Sequence, residues 1–155
     1  MKLWVEGENG GPGRAVRAAV KEQVDFINRE TVSRATRAVQ AIRNAELNVL
    51  KGQRSGKVYR VPGTKASYTA SAPGEAPARR TGNLRMHWTG QVLPVFKPGG
   101  VEIIAQLESQ EEYADYLENG YELESGKVMK PRPFMEKIEE LAEPEIRKIY
   151  SEPYR

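Results

Sequence analysis

The chain has 155 residues, 39% hydrophobic and 29% charged, with a formal net charge of +3 and no cysteine. That length suits one domain built on one core, and the empty cysteine inventory excludes disulfides, thiolate zinc sites and cysteine nucleophiles. No apolar run approaches the roughly 18 residues that a membrane span needs. The opening Met1-Lys2-Leu3-Trp4-Val5-Glu6-Gly7 lacks the apolar core of an export signal, so a soluble protein with no membrane contact is expected.

Charge is unevenly placed. Up to Gly90 there are 16 basic and 7 acidic residues, and beyond it 8 and 14, so the halves carry +9 and −6. Such a split reads either as two solvated surfaces or as a basic face that meets the acidic face of a neighbour.

In chain order, a glycine-rich lead over residues 1–13 precedes a helical pattern over 14–50. Val16, Val20, Val24, Ile27, Thr31, Ala35, Val39, Ile42, Glu46 and Val49 step by three or four, which sets them on one stripe. Arg17, Lys21, Arg34, Arg37 and Arg43 fall off the stripe, so the opposite face is expected to be wet and basic. Gly52 and Gly56 are the expected stop.

Residues 52–75 form an expected hairpin arm: β-like runs at 57–61 and 67–71 flank Pro62-Gly63. A loop region this long in a small domain commonly binds something. The arm is expected to be mobile in the free subunit and ordered by a partner. A proline-stiffened strap, Ala72-Pro-Gly-Glu-Ala-Pro77, follows. Thr81 can cap a short helix bearing Leu84, Arg85 and Trp88. Strands are expected at 91–97 and 101–107, joined at Pro98-Gly99-Gly100, with Val101, Ile103, Ala105 and Leu107 on a well-buried face. A short helix at 111–119 should stop at Gly120. A last helix at 131–150 turns Phe134, Ile138, Leu141, Ile146 and Ile149 inward and is kinked or restarted at Pro144. Residues 151–155 form a tail. The class is α+β: a long N-terminal and a C-terminal helix packed on a small antiparallel sheet, with the arm projecting from a single domain at 14–150.

Catalytic chemistry finds little support. His87 is the only histidine, so there is neither a histidine pair for a metal nor a second imidazole for proton transfer. Glu108, Glu111, Glu112 and Asp115 lie within helical reach of one another, but such a run reads as a solvated face before it reads as a cation site. Gly10-Gly11-Pro12-Gly13 has neither the lysine of a phosphate loop nor the three-glycine dinucleotide spacing. No catalytic, metal-binding or cofactor-binding residue and no cofactor are expected.

Two stretches stand out instead: Ala76-Pro-Ala-Arg-Arg-Thr-Gly-Asn-Leu-Arg85, and Tyr113-Ala-Asp-Tyr-Leu-Glu-Asn-Gly120 followed by Lys130-Pro-Arg-Pro-Phe-Met135. Leu84 and Trp88 share a helix face and offer a large apolar payload. Arg79 and Arg80 present guanidinium forks suited to carboxylate or phosphate. Pro131 and Pro133 hold the chain extended and deliver Phe134 to one spot.

These blocks, in this order, resemble the tail-component family of long-tailed bacteriophages, the neck or tail-completion proteins of the head–tail connector. That family shows a proline strap running into Arg-Thr-Gly-x-Leu-Arg, then Tyr-Ala-x-Tyr-x-Glu-x-Gly, then Pro-x-Pro-Phe ahead of the last helix. The resemblance covers most of residues 14–150, with Gly120-Tyr121 where the family often has Gly-Thr and a longer hairpin arm. It implies a structural virion protein, made in the host cytoplasm and housed in the particle's neck or tail. Its partners would be copies of itself in a ring, adjoining neck, portal-side or tail proteins, and genomic DNA in the channel. The assembly candidates are Arg34, Arg37, Tyr59, Arg60, Tyr68, Arg79, Arg80, Leu84, Trp88, Tyr113, Tyr116, Pro131, Pro133 and Phe134. The rival is a free-standing nucleic-acid-binding domain, favoured by a pI near 9.1 and by Tyr59, Arg60 and Tyr68 on the arm.

Overall fold

A computed structural model describes residues 12–98 and 100–154; most of the lead at 1–13, together with Gly99 and Arg155, lies outside the described residues. Helix α1 runs unbroken over Pro12–Lys51, 40 residues, or about 60 Å at 1.5 Å per residue. It starts at a proline, whose fixed φ and missing N–H suit a first helical position. Its last carbonyls are taken by Arg54, which donates from Nη2 to the Val49 carbonyl at 2.8 Å and from Nη1 to that of Gly52 at 2.6 Å. The same guanidinium reaches the Pro77 carbonyl at 3.1 Å, so one side chain ties the helix end to the proline strap.

The arm forms as expected: β1 (Val58–Arg60) pairs antiparallel with β2 (Ser67–Thr69), with Tyr59 opposite Tyr68. Gly56 closes its foot through an N–H to the Ala70 carbonyl at 2.9 Å. A Cβ there would stand 2.5 Å from that oxygen, so only glycine permits the approach. Glu75 stitches the strap to the arm, accepting from Ser55 Oγ at 2.6 Å and from the Ala72 amide at 2.8 Å.

Helix α2 (Asn83–Met86) begins after Gly82 at φ 94°. Thr81, the expected cap, stands one residue ahead of the observed cap position, Gly82, and its hydroxyl accepts from the Asn83 amide at 3.3 Å. Strands β3 (Trp88–Lys97) and β4 (Gly100–Ser109) form one ten-rung hairpin, longer at both ends than the sequence suggested. Its apolar face lies on α1 with Gly90 against Val39, yet no described strand residue is fully buried. The well-buried face expected at 101–107 is therefore half-buried, because one helix covers it and no second layer does.

Helix α3 (Ala114–Asn119) is shorter than expected and stops at Gly120, φ 74°, where a Cβ would meet the Met129 carbonyl at 2.6 Å. A third hairpin, β5 (Tyr121–Glu122) with β6 (Val128–Met129), went unforeseen. Helix α4 (Met135–Ser151) begins four residues later than expected and passes Pro144 without interruption. Glu118 of α3 serves its N-terminus, accepting from the Phe134 amide at 2.8 Å.

The architecture is α+β, with three separate hairpins in place of one sheet among the described residues. The core lies where α4 packs along the C-terminal half of α1: Ala45, Leu50, Leu84, Phe134, Ile138 and Ala142 are buried together. Leu141, expected inward, is half exposed at the edge of the α1–α4 contact, where it lines a cleft with Asn48 and Val49 of α1.

Candidate functional site

Between the arm, the strap and the α3–β6 region lies a cleft of about 650 Å³. Four arginines line it: Arg79 and Arg80 from the strap, Arg85 from α2, and Arg132 between two prolines. Tyr59 and Tyr68 stack with centroids 5.9 Å apart and form one wall with Tyr113. Leu50, Leu84, Leu117 and Met129 contribute aliphatic surface. Among the described residues no carboxylate and no lysine lines the cleft.

The electrostatics are set by what stands behind the arginines. Arg132 donates to the Ser71 carbonyl at 2.9 Å and to the Ser71 hydroxyl, which fixes the foot of the arm. The Nε atoms of Arg85 and Arg132 are buried and have no hydrogen-bond partner among the described residues. Glu46, fully buried on α1, bonds Arg43 and feels Arg85. Burial outweighs both cations and pushes its carboxyl up to about 7. Burial also raises the Tyr113 phenol, helped by a hydrogen bond to Glu111.

The structure gathers Tyr59, Tyr68, Arg79, Arg80, Leu84 and Tyr113 at this cleft and sends the other candidates elsewhere. Arg60 is exposed on the opposite face of the arm, as strand alternation requires. Tyr116 stands outside, edge-on to Tyr121 at 5.7 Å. Trp88 and Phe134 meet edge to face at 6.3 Å in and beside the core, and the Trp88 indole N–H bonds the Leu84 carbonyl. Pro131 packs against Gly120, and half-buried Pro133 leads into α4.

Arg34 corrects the sequence reading. Expected on a wet face, it is buried, with its guanidinium carbon 3.9 Å from the centre of the Tyr154 ring. Arg37 holds Glu152 in a two-point contact at 2.9 and 2.7 Å. Glu152 and Tyr154 thus fold back over α1, which buries Arg34 and leaves the Arg37–Glu152 pair partly exposed. The acidic run, Glu108, Glu111, Glu112 and Asp115, lines one shallow cleft with Trp88 and Phe134, where Glu111 bonds His87 Nδ1 at 2.5 Å; among the described residues no three His, Asp or Glu stand close enough to hold a metal ion.

Of the four cleft arginines, Arg85 and Arg132 were not among the sequence candidates. Arg85 closes the Arg-Thr-Gly-Asn-Leu-Arg block and Arg132 sits inside Pro-Arg-Pro, so both were within the quoted motifs.

The second prominent surface is the N-terminal half of α1. Val16 and Val20 are 62% and 57% exposed, Val24 and Ile27 49% and 45%, and among the described residues none before Arg34 is buried. No helix among the described residues is long and apolar enough to cross a membrane.

No family model, no curated protein and no solved structure matches this chain.

Proposed function

We propose that the protein is a structural subunit of a phage head–tail connector, a neck or tail-completion component that works by ring-forming self-association and by docking to adjoining virion proteins. The observation that carries this reading is the bare apolar stripe of α1. About 30 Å of helix extends before the first buried residue, and its valines and Ile27 face solvent on the stripe that is covered further along. An exposed apolar strip of this kind is a contact surface waiting for protein. A second copy is the partner that the charge split favours, since halves of +9 and −6 are complementary in a head-to-tail contact. The order of the three motif blocks supports the phage setting.

A nucleic-acid-binding reading has one observation of its own: Lys57, Arg60 and Lys65 are exposed on the arm that carries Tyr59. Sedimentation velocity across a concentration series separates the two. Concentration-dependent oligomers are expected, lost on Val20→Asp with Val24→Asp while far-UV circular dichroism is unchanged. Mass spectrometry of purified particles should find the chain. A strictly monomeric protein that is absent from particles overturns the proposal.

A further inference from the structure

The arginine–tyrosine cleft has the makings of an acceptor. Its lining is rich in Arg and Tyr and contains no Lys, Asp or Glu among the described residues, the composition of a protein-interface core rather than of a solvated surface. Arg79 and Arg80 make no hydrogen bond or ion pair among the described residues. The planar forks of these arginines match carboxylates. The aliphatic surface beside them calls for an apolar side chain carried next to those carboxylates. A single-stranded nucleic acid would share the guanidinium and ring chemistry but leave Leu50, Leu84 and Leu117 without a partner.

The same chain carries a segment of that description. At the tip of the β5–β6 hairpin, Glu122 and Glu124 flank Leu123, which is 43% exposed. Neither carboxylate has an ion-pair partner among the described residues, whereas Glu143 and Glu145 of α4 are taken by Arg147 and Lys148. The tip is held in shape by the Leu123 N–H on the Lys127 carbonyl at 2.9 Å and the Gly126 N–H on the Leu123 carbonyl at 2.8 Å. A two-stranded tip is slimmer than a helix about 10–12 Å across, and a cleft of about 650 Å³ is of a size that accepts a few side chains. Met129, at the foot of this hairpin, lines the cleft, so donor and acceptor stand side by side. With two rungs the hairpin is too short to turn its tip back into its own subunit's cleft.

We propose that the cleft receives the Glu122-Leu123-Glu124 tip of a second copy of this chain, with Arg79 and Arg80 meeting the carboxylates and Leu123 covering the aliphatic surface. This rests on the self-association proposed above and names its contact.

Two charge-reversed proteins test it, Arg79→Glu with Arg80→Glu, and Glu122→Arg with Glu124→Arg. All four side chains are exposed, so each variant should keep the wild-type circular dichroism spectrum. Sedimentation velocity should show each variant alone associating at least about tenfold more weakly than wild type, and an equimolar mixture recovering to within about threefold. A cleft variant that associates like wild type, or a mixture that fails to recover, overturns the contact. If the mixture fails while Val20→Asp with Val24→Asp still abolishes wild-type association, self-association stands and only the cleft assignment falls. Loss of single-stranded oligonucleotide binding in the Arg79→Glu, Arg80→Glu protein with self-association intact would make the cleft a nucleic-acid site and overturn the proposal. A wild-type chain that stays monomeric removes both readings.

Discussion

From Ala35 to Leu50, the stripe side of α1 enters the core: Ala35 and Glu46 of the stripe and Ala38, Ala45 and Leu50 beside it are buried. From Val16 to Ile27 the same spacing of three and four leaves every stripe residue facing water. Helical periodicity states which side chains share a face. It does not supply the surface that covers them. For the C-terminal half that surface is α4 and the long hairpin; for the N-terminal half the described fold supplies none. The contrast separates residues that hold the fold from residues available to a partner.

The sharpest way to break this contrast is to truncate one side chain in each region. Phe134→Ala should lower unfolding stability by about 3–5 kcal/mol, because the ring is buried where α4 meets α1. Val24→Ala should cost less than about 0.5 kcal/mol. Urea titrations of the two proteins would remove the distinction if the losses were comparable.

A second, smaller effect comes from the carboxylate inside the covered half. The folded-state value of Glu46, about 7, exceeds the ordinary 4.5, so the folded chain binds the proton more tightly than the unfolded one. Stability is therefore full below the ordinary value and falls as pH rises through the folded one. From 4.5 to about 7 the loss is on the order of 3 kcal/mol, at about 1.4 kcal/mol per pH unit. Urea midpoints should fall between about pH 4.5 and about pH 7, and Glu46→Gln should flatten that fall. An unchanged slope would mean that Glu46 is already ionised in the fold.

The boundary between the halves gives a third test. Tyr154 covers Arg34 where the buried stretch of α1 begins. Tyr154→Ala should cost about 0.5–1 kcal/mol, or about 1–4 °C in melting temperature. No shift by differential scanning calorimetry would show that the folded-back end adds nothing.

The smallest expected effect is local to the arm. Hydrogen bonds from Ser55 and from the Ala72 amide hold the Glu75 carboxyl down to about 2. The stabilisation is present above the ordinary carboxylate range and is lost as pH falls through the folded value. Glu75→Gln should speed proteolytic nicking within 52–75 and leave the urea midpoint unchanged. Equal nicking rates would show that Glu75 does not secure the arm.

Much of this was legible in the residues. The long helix, the arm, the β3–β4 hairpin and α4 follow from period, turn chemistry and capping, all of which act within a few residues. The stop at Gly120 was readable, while its steric reason, the Met129 carbonyl, was not. The β5–β6 hairpin escaped because two rungs leave too short an alternation to register. At the cleft, Arg79, Arg80 and the tyrosines were singled out, but nothing local indicated that they converge.

By itself the sequence determined the helices and hairpins, the single stripe along α1 and the opposed charge of the halves, since each depends on neighbouring residues or on a simple count. Tertiary structure alone decided which half of the stripe is covered, that Arg34 is dried by Tyr154 and that four arginines meet three tyrosines in one cleft. Those outcomes depend on contacts between residues far apart in the chain. Such contacts form when the gain from burial exceeds the cost of ordering the intervening segments, a balance that no short stretch of sequence carries.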